Sequence, residues 1–193
     1  MKGKLNGFQK LGFLLVALSA FVLLGSEWLA RHHSAQAQAL ASEIKACLPP
    51  IVEGDPENYS NPAMPVLQLQ EGDFSCLIEI ISLGVSLPVE SSWDSADISR
   101  FPHRFWGSVY DNSLILGGSN HKGQFDFCTK LDLGDPVLIT DMTGTQFSYE
   151  VVRIDRRQQV DLDVLQEFDC DLTLFVRDGS SRNYIIVRCA MAA

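Results

Sequence analysis

Five cysteines, Cys47, Cys76, Cys128, Cys170 and Cys189, are the residues of this chain best suited to covalent chemistry. A thiolate attacks a carbonyl carbon when a neighbouring base, most often histidine, takes its proton at hydrogen-bond distance. Cys128 stands seven residues after His121 and Cys170 seven before Arg177, in the region that also holds Arg182, so a Cys–His pair would draw on them. No two cysteines are spaced C-x-x-C, so a zinc or thioredoxin-like site has no support, and neither metal nor cofactor is expected. An odd number leaves at least one thiol unpaired within the chain, and small buried apolar residues are the simplest role for most of them. The acidic run from Asp161 to Asp171 lacks the EF-hand pattern and reads as a solvated loop.

The elements that would position such groups begin with the N-terminus. Lys2, Lys4 and Lys10 precede an apolar run from Leu11 to Gly25, and Trp28 to Ala30 extend it after Ser26 and Glu27. Positive charge before an apolar stretch sets the N-terminus inside and the rest of the chain outside. With Phe8 and Trp28-Leu29 included, the run reaches the ~20 residues a spanning helix needs. It is either an uncleaved anchor or a signal segment cut near Ala35-Gln36-Ala37. Both readings put the rest of the chain outside the cytoplasm, and the anchor puts it at the cell membrane as a single-pass protein.

Residues 1–30 are therefore expected to form the anchor or signal segment. Residues 31–73 are expected to form a juxtamembrane helix and linker, and residues 74–193 a folded domain. Ala35 to Leu48 are rich in helix formers, and Pro49-Pro50 stop the helix. Glu53 to Pro65 is dense in Pro, Asn, Asp and Gly and reads as an exposed linker. The net charge of −9 argues against a nucleic-acid partner, which needs a basic face.

From Phe74 onward, short apolar runs alternate with turn residues. Strands are expected at 76–81, 84–89, 113–118, 136–140, 145–154, 171–176 and 184–188, with a hairpin around Thr143-Gly144. Many short strands at this spacing indicate an all-β barrel or sandwich. Short helical pieces are expected at 95–101 and 122–131. The aromatic segment Phe101 to Trp106 suits either a groove or a core.

These pieces resemble the sortase family, with a class B/D-like character. Leu114-Ile115-Leu116-Gly117-Gly118-Ser119-Asn120 is similar to the family strand that ends in Gly-His-Asn. Lys130-Leu131-Asp132-Leu133-Gly134-Asp135-Pro136-Val137 resembles the pattern that follows it. Asp171-Leu172-Thr173-Leu174-Phe175 resembles the entry to the nucleophile strand, and Tyr184 to Cys189 the closing strand. Ile80 to Val89 is similar to the family's opening. The resemblance spans roughly Leu77 to Cys189 and implies a closed β-barrel of about eight strands with short helices, preceded here by the N-terminal membrane helix. It also implies thiol chemistry, in which a cysteine attacks a Thr-Gly-type bond in a sorting signal and a histidine and an arginine assist.

The positions that match the family's three catalytic residues are Ser119 for histidine, Arg177 for cysteine and Tyr184 for arginine. A guanidinium cannot serve as a nucleophile. The resemblance thus implies a barrel that retains the cleft without the chemistry. Its cleft would present Ser119, His121, Arg177, Arg182 and Tyr184 to a sorting-signal-like peptide or a surface protein. The alternative is an active cysteine transpeptidase whose nucleophile has moved to Cys128 or Cys170.

Overall fold

The computed structural model describes Ser19 and residues 34–95, 97–167, 170–179 and 182–192. The apolar run expected to be the anchor lies outside them except for Ser19, and no helix among the described residues is long and apolar enough to cross a membrane.

A helix over residues 34–47, α1, opens the described chain. Its Ala37, Ala41 and Ile44 recur at the spacing that makes one helical face, and all three are buried in the main core. Lys45 on its flank pairs with Glu79 at 2.8 Å. The helix ends where Pro49-Pro50 begin, since a proline ring disfavours helix in the residue before it.

Ten strands follow: β1 (Val52–Glu53), β2 (Leu67–Gln68), β3 (Asp73–Ile80), β4 (Val85–Glu90), β5 (His103–Trp106), β6 (Leu114–Gly118), β7 (Pro136–Asp141), β8 (Thr145–Arg157), β9 (Leu172–Arg177) and β10 (Tyr184–Met191). The pairing runs β3–β7–β8–β10–β9–β6–β5–β4 and back to β3, which closes an eight-stranded barrel. The short β1 and β2 add to its outside against β8 and β3. Closure removes the free sheet edges that would otherwise template aggregation.

Alternation along the strands sorts the side chains. Leu172, Leu174 and Val176 of β9 and Ile185, Val187 and Cys189 of β10 point into the barrel. Phe175 and Ile186 point outward and join a second apolar cluster with Ile115 and Leu165. The β7–β8 hairpin turns at Gly144, whose φ of +86° suits glycine. Asp141 braces the turn by accepting from the amides of Thr143 at 2.8 Å and Thr145 at 2.9 Å.

Three local expectations change. Residues 95 and 97–100 form turns rather than a helical piece, whereas the short helical piece expected at 122–131 is present as a 3-10 segment, Phe125–Thr129. The acidic run includes a one-turn helix, α2 (Leu162–Leu165), which Asp161 caps by accepting from the Val164 amide at 2.9 Å. Its Leu165 is buried, so this segment is packed and not simply solvated. The stretch expected as an exposed linker is tied to the barrel, because Tyr59 stacks on Tyr110 at 4.0 Å and Met64 is buried.

Candidate functional site: a cleft on the outer face of the barrel

The ends of β6, β9 and β10 lie side by side. β6 and β9 are parallel with Gly118 opposite Val176, so the residues that follow, Ser119 and Arg177, emerge together. β9 and β10 are antiparallel with Tyr184 directly opposite Arg177. Ser119, Arg177 and Tyr184 accordingly line one cleft of about 620 Å³. Asn120, Asp178 and Gly179 line it as well.

The apolar part of the lining comes from four separate segments. Trp93, on the β4–β5 connection, packs against Phe105 at 5.0 Å and Phe175 at 5.5 Å between ring centres. Gly117 admits this packing, because a Cβ there would sit 2.5 Å from the Trp93 ring and 2.6 Å from Phe175. His103 Nδ1, 2.8 Å from the Ser92 carbonyl oxygen, and Arg104 Nε, donating to the Ser91 carbonyl at 2.9 Å, pin the segment that carries Trp93.

Val160 also lines the cleft, from the segment between β8 and β9 that holds α2. Arg188 fastens this segment to the barrel. Its side chain points outward from β10, is fully buried, and donates to the carbonyls of Leu165 at 2.9 Å and Val164 at 2.7 Å. Its Nε lies 3.3 Å from the Asp155 carboxylate. Burial pushes the Asp155 pKa up, but hydrogen bonds and charge from Arg153 and Arg188 outweigh it and hold the carboxyl below its ordinary range.

The remaining candidate residues fall at the rim or elsewhere. His121 is exposed and its Nδ1 lies 2.8 Å from Ser119 Oγ, which ties the two into one polar edge. Arg182, expected in the cleft, is exposed and does not line it, because it precedes β10, which begins at Tyr184. Cys128 is buried among the barrel's core residues, and burial holds its thiol pKa well above the usual range. Such a thiol is a packed side chain and a poor nucleophile. Cys170 lines a separate recess with Ser113 and Thr173, near the start of β9, whereas Arg177 ends that strand. Neither cysteine lines the cleft. Burial pushes Cys76 up to about 12 and Cys189 further still.

The segment Phe101 to Trp106 divides between the two roles open to it. Phe101 and His103 are buried, Phe105 lines the cleft, and Trp106 is 51% exposed. Phe105 and Phe175 were identifiable from the aromatic segment and from the two-residue offset between Phe175 and Arg177. Trp93 and Val160 carry no such local signal.

A closed eight-stranded barrel with an outer-face cleft at the ends of β6, β9 and β10 is the class this architecture defines. The fold is the sortase fold. The chain is similar to a sortase D5 transpeptidase from Clostridium perfringens, at 22% identity over 62% of this chain and 79% of that one, with a TM-score of 0.52. It is similar to sortase C-1 from Actinomyces oris, at 22% identity over 83% of this chain and 99% of that one, with a TM-score of 0.53. It is similar to sortase A from Corynebacterium diphtheriae, at 16% identity over 85% and 84% of the two chains, with a TM-score of 0.55. No family model and no curated protein sequence matches the chain.

Proposed function

We propose that this protein is a membrane-anchored, extracytoplasmic sortase-like protein that binds a peptide segment and does not cleave it, serving as an accessory factor in cell-surface protein assembly. The observation that carries this reading is the composition of the cleft. Ser119, Arg177 and Tyr184 line it together, and no cysteine does. Acyl transfer by this fold needs a thiolate at the Arg177 position, and a group that acts with two others loses most of the rate when it is replaced. What Arg177 offers instead is a planar fork of donors that matches a carboxylate in two parallel hydrogen bonds. Trp93, Phe105 and Phe175 beside it suit the apolar side chain of a bound segment.

The partner is therefore a sorting-signal-like peptide or a surface protein that presents one, with a backbone carbonyl or carboxylate toward Arg177. Calorimetric titration with such a peptide tests the reading. Saturable binding that Arg177→Glu weakens at least tenfold, with circular dichroism unchanged, supports it. Equal binding by both proteins, or none by either, sinks it.

A further inference from the structure

The turn between β3 and β4 carries an unusual load for a solvent-facing tip. Ile81, Ser82, Leu83 and Gly84 are all exposed, with Ile81 at 68% and Leu83 at 39%. Leu133, on the loop entering β7, is 68% exposed. β7 is antiparallel to β3, with Leu138 opposite Glu79, so Leu133 lies beyond the same end of the barrel as Ile81. Three large aliphatic side chains thus project from one rim.

The start of α1 stands at this rim. Ser34 Oγ donates to the Gly123 carbonyl at 3.2 Å, and Ser34 and Gln38 share a groove with Leu83, Gly84 and Lys122. The helix then runs to the other end of the barrel, roughly 20 Å away for 14 residues at ~1.5 Å each. There Pro49 lies against Gly144, and the Val52 amide donates to the Gly144 carbonyl at 3.1 Å. The chain toward the apolar run therefore leaves from the rim that carries Ile81 and Leu83. Only residues 26–33 separate Ser34 from Gly25, and eight residues reach under ~30 Å even when fully extended. Counted from Ala30, three residues remain, which reach ~10 Å.

We infer that the Ile81–Leu83 turn, with Leu133 beside it, enters the lipid interface of the bilayer and fixes the barrel's orientation on the membrane. This rests on the reading of the N-terminal run as a membrane anchor. A tether that short holds the rim at the surface, and aliphatic side chains held there lose their contact with water by inserting. The occupant is lipid and not a second protein, because the chain toward the apolar run leaves from this rim. Val52, 64% exposed at the far end, is the natural contrast.

The experiment uses the full chain with Cys47→Ser, reconstituted in vesicles of phosphatidylcholine and phosphatidylglycerol that contain spin-labelled lipid. An environment-sensitive fluorophore is attached at Ile81→Cys or at Val52→Cys, and the signal of the chain without either added cysteine is subtracted. Blue-shifted emission and at least twofold stronger quenching at position 81 than at position 52 support docking. Equal emission and quenching at the two positions, in protein that floats with the vesicles, overturn docking and leave the anchor intact. Protein that fails to float with the vesicles overturns both.

Discussion

Replacing Arg188 with methionine tests how the cleft wall is held. Methionine keeps most of the volume and removes the charge and the donors. Asp155 is not orphaned, because Arg153 Nε still donates to it at 2.8 and 3.0 Å. The loss falls on the carbonyls of Val164 and Leu165. Among the described residues, the Leu165 carbonyl keeps the long bond from the Thr173 hydroxyl at 3.4 Å, and the Val164 carbonyl keeps the Glu167 amide, also at 3.4 Å. A hydrogen bond from a charged group is worth about 1.5–3 kcal/mol, and each carbonyl keeps a weaker partner, so losing both amounts to roughly 2–4 kcal/mol. At ~2–4 °C per kcal/mol for a domain of this size, the melting temperature should fall by about 10 °C at neutral pH.

The Asp155 share of this difference has a definite pH dependence. Its folded pKa is depressed, so its contribution is present above the ordinary aspartate pKa of ~3.9 and is lost as pH falls through the folded value. The gap between wild type and Arg188→Met should therefore narrow below about pH 4. Thermal unfolding followed by circular dichroism reads the first quantity across pH, and hydrogen exchange over residues 162–167 reads the wall itself. A variant that melts within a degree of wild type, with the wall amides equally protected, would show that Arg188 does not hold this segment.

Three further outcomes follow from the same contacts. Gly117→Ala should displace Trp93 from Phe175, since the added Cβ would lie 2.5 Å from the indole ring; a shifted tryptophan emission and weaker peptide binding are expected, and unchanged spectra would contradict this. Under native conditions at pH 8, a thiol reagent should modify the exposed Cys47 rapidly and leave Cys76, Cys128 and Cys189 unmodified, because all three are buried with raised pKa values; prompt labelling of Cys128 in mass spectra would count against the packing described. Tyr110→Phe removes the hydroxyl that donates to Asp141 at 2.5 Å, yet Asp141 retains the Thr143 and Thr145 amides, so denaturant unfolding should show a loss of about 1–2 kcal/mol and not a collapse.

The strands that sequence reading located best are those whose pattern is set by their own neighbours. β9 and β10 alternate between barrel core and outer cluster over consecutive residues, and the β7–β8 turn has the Asp and Gly that such turns require. β5 was not legible as a strand. Only four residues long, it holds His103 and Arg104 between Pro102 and Gly107, and its pairing to β4 and β6 is long-range. α2 was hidden by its acidic flanks, which mask the apolar Leu162, Val164 and Leu165. In the cleft, Ser119, Arg177 and Tyr184 were accessible through the family resemblance because they sit at the ends of recognisable strands. Trp93 and Val160 reach the cleft from connections whose path depends on His103 and Arg188, and no local periodicity records that.

A cleft lined by Ser119, Arg177 and Tyr184 should bind peptide without thiol chemistry. The most direct measurement incubates the protein with a sorting-type peptide and an amine acceptor, before and after alkylation of accessible thiols, and follows products and protein mass together. Bound peptide is expected, with no cleavage or transfer product and no acyl adduct on any cysteine. Product formation that alkylation abolishes, or an acyl-thioester on Cys128 or Cys170, would contradict this expectation.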